Sequence, residues 1–88
     1  MATQHKTLYE AVKAVQPIVE RDGLLLDDGA MYWSIDNLLA ELYNAPTTDY
    51  DTDGYYVAAI DGSVGYTTDD GYNIQWIYKA VKLDDNNE

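Results

Sequence analysis

Leu8, Val12, Val15, Ile18 and Val19 recur three and four residues apart, the period of one face of an α-helix. Thr7 followed by Glu10 forms a capping box, in which each side chain satisfies the other's free backbone N–H, so the helix is expected to start at Thr7. Pro17 falls inside this pattern. A proline there removes one hydrogen bond and crowds the preceding turn, which predicts a kink or a break before Gly23 terminates the helix. A second stripe, Ile35, Leu38, Leu39 and Leu42, follows Ser34, a good N-cap, and ends at Asn44, Ala45 and Pro46. Between the two helices, residues 24–33 read either as a short hairpin turning at Asp28 and Gly29 or as a loop leading straight into the second helix.

Beyond Pro46 the period changes. The stretches YYVAAID, SVGYTT and YNIQWIYKAVKL are rich in Tyr, Val, Ile and Thr, and Asp61-Gly62 and Asp70-Gly71 separate them. Asp-Gly favours tight hairpin turns, so three antiparallel strands in sequence are expected. In the last strand Ile74, Trp76, Tyr78 and Ala80 share one face by simple alternation, the natural one to cover with helices, while Ile77 and Val81 fall on the other. The fold class is therefore α+β: two N-terminal helices packed on a three-stranded antiparallel β-meander. One domain spans 1–88, with residues 1–6 and 84–88 expected to fray.

The apolar share of 47 % and the nine Tyr and two Trp support a folded core. Charge changes the picture more. Sixteen acidic residues against five basic ones leave a formal net charge of −11. Residues 1–46 hold seven acidic and three basic side chains; residues 47–88 hold nine and two. Such a surface repels nucleic acid and anionic membrane and attracts proteins with basic clefts. There is no cysteine, hence no disulfide and no thiolate chemistry, which fits a reducing compartment. With no apolar run of signal-peptide or membrane-spanning length, the chain is expected in the cytoplasm.

Asp49, Asp51, Asp53 and Gly54 match the opening of an EF-hand calcium loop, but the closing bidentate glutamate is missing, since position 12 is Ile60. Pro46 before the run and the strand-like YYVAAI after it also differ from the helix-loop-helix setting. Closure by Asp61 would be an alternative, so a calcium-binding module stays open as a reading. The bland reading is a solvated turn whose carboxylates accept from local backbone N–H groups. For catalysis, His5 is the sole histidine and Ser34 and Ser63 are the only serines, each in a segment expected to be an end, a cap or a turn. No nucleophile–base set assembles, so an enzyme is not expected. Glycine-rich phosphate loops are absent, and no cofactor is implied.

On an extended segment, residues two apart point the same way at roughly 6.5 to 7 Å. Asp49, Asp51 and Asp53 could thus form a carboxylate row comparable with the phosphates of a nucleic-acid strand, which advance by about 3.4 Å along the axis while winding around it. Asp61, Asp69 and Asp70 belong to the two expected hairpin turns, and Asp27 with Asp28 forms another acidic cluster. Tyr50, Tyr55 and Tyr56, with Tyr66 and Tyr72, add flat amphipathic contacts of the kind enriched at interfaces. Several of these tyrosines must instead fill the core in place of the absent Phe.

In its short length, acidity, lack of cysteine and scattered Asp and Tyr, the chain resembles phage-encoded DNA-mimic inhibitors, a class that includes the uracil-DNA glycosylase inhibitor and several anti-restriction and anti-CRISPR proteins. That resemblance implies a stoichiometric inhibitor, monomeric or homodimeric, acting in the host cytoplasm. It would block a basic nucleic-acid-binding host protein such as a CRISPR effector, restriction enzyme, gyrase or RNA polymerase, without touching nucleic acid or membrane itself. The class shares no common fold, so it transfers no individual residue. Immunity proteins that neutralise nuclease toxins look similar by the same criteria and form the alternative.

The missing twelfth ligand generates the first prediction. Calorimetric titration with calcium at physiological ionic strength is expected to give a dissociation constant no tighter than about 10⁻⁵ M, the weak limit of sensor loops. A tighter site would turn the Asp run into a metal centre.

Overall fold

The computed structural model describes residues 2–44 and 54–82. In chain order they form β1 (Thr3–His5), α1 (Leu8–Asp22), β2 (Leu25–Asp27), β3 (Tyr32–Trp33), α2 (Ile35–Asn44), β4 (Tyr55–Ala58), β5 (Val64–Thr67) and β6 (Gln75–Val81). The six strands make one antiparallel sheet in the order β1-β4-β5-β6-β2-β3. The class is α+β, but the sheet has six strands rather than three, and the helices are not an uninterrupted N-terminal pair. A strand precedes α1, and the β2–β3 hairpin separates it from α2.

Both helices follow their sequence signals. Thr7 is the N-cap of α1, its hydroxyl accepting from the Glu10 N–H at 3.1 Å, and Gly23 closes the helix in the left-handed conformation. The helix runs through Pro17 without ending there. Pro17 is exposed, so the Lys13 carbonyl it leaves without a helical donor can turn to water. Ser34 caps α2, accepting from the Asn37 N–H at 3.3 Å. The buried faces are Leu8, Ala11, Val12, Val15 and Val19 on α1, and Ile35, Leu38, Leu39 and Leu42 on α2. They form one core with Leu26, Tyr56, Ala58, Val64, Tyr66 and Tyr78 of the sheet. Helix α1 lies against β1, β4 and β5, with α2 packed on it.

The short strands arise from tertiary context. Residues 3–5, expected to fray, pair with β4 through Thr3–Ala58, Gln4–Val57 and His5–Tyr56. Residues 24–33 resolve the open choice in favour of a hairpin, with Leu26 opposite Trp33 and Asp27 opposite Tyr32. Strand β2 then joins the C-terminal half of β6, Asp27 facing Lys79 and Leu26 facing Ala80.

The face assignment of β6 also needs correction. Val64 pairs with Tyr78 and Gly65 with Trp76, so Ile77 is an extra residue, a β-bulge that interrupts the alternation. Ile77 and Ala80 pack against the core beside Tyr78, whereas Trp76 is 41 % exposed. Ile74 and Trp76 sit over Gly65, where a Cβ would run into the Ile74 side chain and come to 3.0 Å from the Trp76 ring. A glycine in a strand interior often marks such a close approach.

Gly65→Ala is therefore expected to destabilise the fold by about 1–3 kcal/mol, the range for inserting a methyl group into packed surroundings, as read from the urea unfolding midpoint. An unchanged midpoint would mean that the Ile74–Trp76 cover gives way freely.

Candidate functional site

The three described turns that carry aspartate are each built by that aspartate. In the β2–β3 hairpin, Asp28 Oδ1 accepts from the Ala30 and Met31 N–H groups, both at 2.8 Å, and Oδ2 accepts from the Trp33 indole N–H at 3.0 Å. Asp27 Oδ1 accepts from the Gly29 N–H at 2.8 Å. In the β4–β5 turn, Asp61 Oδ1 accepts from the Ser63 N–H at 2.9 Å, and Ser63 Oγ accepts from the Ala80 N–H at 3.0 Å. This last bond ties the turn to β6.

The β5–β6 turn is the most cross-linked. The buried Thr67 hydroxyl donates to Asp69 Oδ1 at 2.8 Å and accepts from the Asp69 and Gly71 N–H groups. Asp69 also accepts from Asn73, through its backbone N–H at 2.8 Å and its side-chain amide at 2.7 Å. Asp70 and Gly71 both have positive φ, 66° and 94°, and form the centre of a β-turn closed by the Tyr72 N–H donating to the Asp69 carbonyl at 3.3 Å, a conformation that Asp-Gly tolerates well. The Tyr55 hydroxyl donates to Asp70 Oδ1 at 3.3 Å.

These bonds set the electrostatics. The Trp33 indole N–H, helped by the Ala30 and Met31 N–H groups, holds the Asp28 carboxyl below the usual range. The Asn73 backbone N–H, its side-chain amide and the Thr67 hydroxyl do the same for Asp69. Partial burial, and then the nearby Asp70 charge, pushes the Tyr55 phenol up, so it stays protonated and able to donate. Among the described residues the ion pair is Arg21 with Asp22 at 2.9 Å, neighbours in the chain. The other nine described acidic side chains meet no cation within salt-bridge distance among the described residues.

A carboxylate offers about four acceptor positions. Asp28 and Asp69 each spend three on their own turns, whereas Asp27, Asp61 and Asp70 each spend one. The first two shape the surface, and the last three keep capacity for a partner.

The structure brings only some of the sequence-derived site residues together. Tyr55, Asp69 and Asp70 share the β5–β6 end of the sheet. Asp61 sits on the β4–β5 turn at the opposite end of β5, and Asp27 and Asp28 on the β2–β3 hairpin. Tyr56 is 3 % exposed, its ring tilted against Tyr66 with centroids 5.1 Å apart in the core. Asp49, Tyr50, Asp51 and Asp53 lie outside the described residues. Among those described, no three His, Cys, Asp or Glu side chains gather as a metal site, and no helix is long and apolar enough to cross a membrane. A cleft of about 300 Å³ opens beside the β5–β6 turn, but Asp69, the carboxylate in its lining, is committed to that turn.

Sequence reasoning missed the exposed aromatics Trp76, Tyr32 and Tyr43. Trp76 was assigned to the helix-covered face by alternation, and Gly65 inside β5 was the signal that alternation fails nearby. Compared with known proteins, the chain matches no protein-family model, no curated protein and no solved structure at a significant level.

The lowered carboxyls generate a pH prediction. With folded-state pKa values below the unfolded value of about 3.9, Asp28 and Asp69 contribute stability that is complete above that value and lost as pH falls through their folded values. The difference in urea midpoint between wild type and Asp28→Asn, or between wild type and Asp69→Asn, is expected to be largest at neutral pH and to close below about pH 4. Measuring the difference cancels the general relief of charge repulsion on acidification. A gap constant across the range would show that the charge of these carboxylates plays no part.

Proposed function

We propose that this chain is a stoichiometric acidic inhibitor that occupies the nucleic-acid-binding cleft of a basic protein. The observation that carries the reading is the unneutralised charge: a net −11 on a folded domain in which nine of the ten described acidic side chains have no cationic partner among the described residues. A domain selected only for stability would gain from pairing some of these charges or from lacking them, because like charges on a small surface repel. The carboxylates with acceptor capacity to spare stand at hairpin turns braced by backbone hydrogen bonds, so little main-chain freedom is lost when a partner engages them. They offer carboxylate oxygens to a partner as a phosphate backbone offers its oxygens. The run Asp49, Asp51 and Asp53 adds to the same field.

The charge of such an inhibitor acts mainly by steering the encounter. Affinity capture from a host lysate supplies the partner, and competition with that partner's own nucleic acid is the decisive measurement. Binding is expected to be mutually exclusive. Simultaneous binding of chain and nucleic acid would sink the proposal.

A variant carrying Asp49→Asn, Asp51→Asn, Asp53→Asn, Asp61→Asn and Asp70→Asn is expected to associate with the partner about tenfold or more slowly, with a smaller change in dissociation rate. Asp69 and Asp28 are spared because their turns need them. Asn tolerates the positive φ at position 70, so the fold should persist. Association rates equal to wild type, and an affinity insensitive to sodium chloride, would show that charge is not what the partner reads.

A further inference from the structure

Across the β3 side of the sheet, Lys79 of β6, Asp27 of β2 and Tyr32 of the edge strand β3 are register partners in a single row. Their chain neighbours Ala80, Leu26 and Trp33 pack into or against the core, so by strand alternation the row looks out from the face without helices. Trp76 joins it along β6, with Lys79 Nζ 5.8 Å from the centre of its ring. Tyr32 is 52 % and Trp76 41 % exposed, and Met31 beside them is 50 % exposed. Large aromatic side chains left this open on a small domain are the kind of residue that anchors interfaces.

We propose that this row is a guanidinium-binding platform, on which an arginine side chain of the basic partner lies flat against Trp76 or Tyr32 while Asp27 takes up its charge. The assignment rests on the reading of the chain as a ligand for basic proteins, and it narrows that reading to arginine. Three observations favour an arginine occupant. The overall charge of −11 selects a cationic partner. The Trp76 ring already holds a cation of its own chain, Lys79, at the outer edge of the range for such contacts, so the contact is weak and displaceable. Asp27 spends one oxygen on the Gly29 N–H, and its other oxygen has no hydrogen-bond partner among the described residues. A planar guanidinium stacks on an aromatic face while donating in its plane to a carboxylate, and its weak hydration lets it leave water for that position; a compact, strongly hydrated ammonium does so less well.

Oligoarginine and oligolysine peptides of equal length serve as probes, titrated calorimetrically at physiological ionic strength. Oligoarginine is expected to bind wild type about two- to fivefold more tightly than oligolysine, the ratio of an exposed cation–π contact. Trp76→Ala should abolish that preference while oligolysine binding persists, and Trp76→Phe should restore part of it. Tyr32→Ala, at the exposed sheet edge, should also reduce the preference, and it keeps the test informative if removing the Trp76 cover from Gly65 costs too much stability. Equal, salt-sensitive binding of both peptides to wild type would overturn the platform and leave the acidic reading standing. Failure of both peptides to bind would overturn the acidic reading itself. A wild-type dimer in sedimentation that Trp76→Ala or Tyr32→Ala dissolves would overturn the platform in favour of a self-association face.

Discussion

Strand β6 is the element on which the rest of the sheet depends. Its first half bonds β5 and, through it, β4 and β1; its second half bonds β2 and, through it, β3. Without it the two-residue strand β3 and the three-residue strand β2 would be an isolated hairpin, which is marginal in water. The bulge at Ile77 lets one strand serve both halves. It turns Ile77 and Tyr78 together toward the helices and leaves Trp76 outside, over Gly65. The Ala80 N–H bond to Ser63 Oγ then fastens the far end of β6 to the β4–β5 turn. Core, open face and turn placement all follow from this one irregular strand.

The charge is arranged so that it does not oppose this framework. The largest completely buried side chains, Val12, Val15, Val19, Leu26, Leu38, Val64 and Thr67, include no ionisable group, and the described acidic residues are half-buried or exposed. Asp28 and Asp69 go further, their charge accepting hydrogen bonds from the loops that carry them. Negative charge thus helps to make the turns from which it projects. The same residues have little acceptor capacity left, which separates them from Asp27, Asp61 and Asp70.

Much of the helical half was legible. Thr7, Gly23, Ser34 and the two apolar stripes all have local physical causes, and the structure places them accordingly. The Asp61-Gly62 and Asp70-Gly71 turns were legible for the same reason, since positive φ at Gly62, Asp70 and Gly71 is a property of two or three residues. Strands β2 and β3 were legible only as one of two readings of residues 24–33, and β1 was not legible, because two or three residues contain no period and Thr3, Gln4 and His5 become a strand only when β4 offers its edge. Periodicity also placed Trp76 on the wrong face: a bulge shifts the register by one residue, and a strict period of two has no way to signal it. For the site, the exposed Asp positions at the turns could be read from turn chemistry. Their division between two ends of β5 and a separate hairpin could not, being a matter of topology.

This topology bears on how an acidic protein achieves selectivity. A long-range field falls off over roughly 8 Å at physiological salt and distinguishes poorly between one basic surface and another. Selectivity has to come from contact, and contact energy concentrates in a few partly desolvated side chains. In this chain the two are separated in space. Uncompensated carboxylates stand at hairpin turns at both ends of β5, whereas the exposed aromatics Trp76 and Tyr32 lie on the sheet face with Lys79 and Asp27, cross-strand neighbours of opposite charge, between them. An aromatic patch with charges of both signs is easier to desolvate than a carboxylate cluster, because taking unpaired charge out of water is the costliest step in forming an interface. On the proposed reading, charge around the rim and rings on the flat face would divide the work of binding, the first raising the rate of encounter and the second setting the residence time.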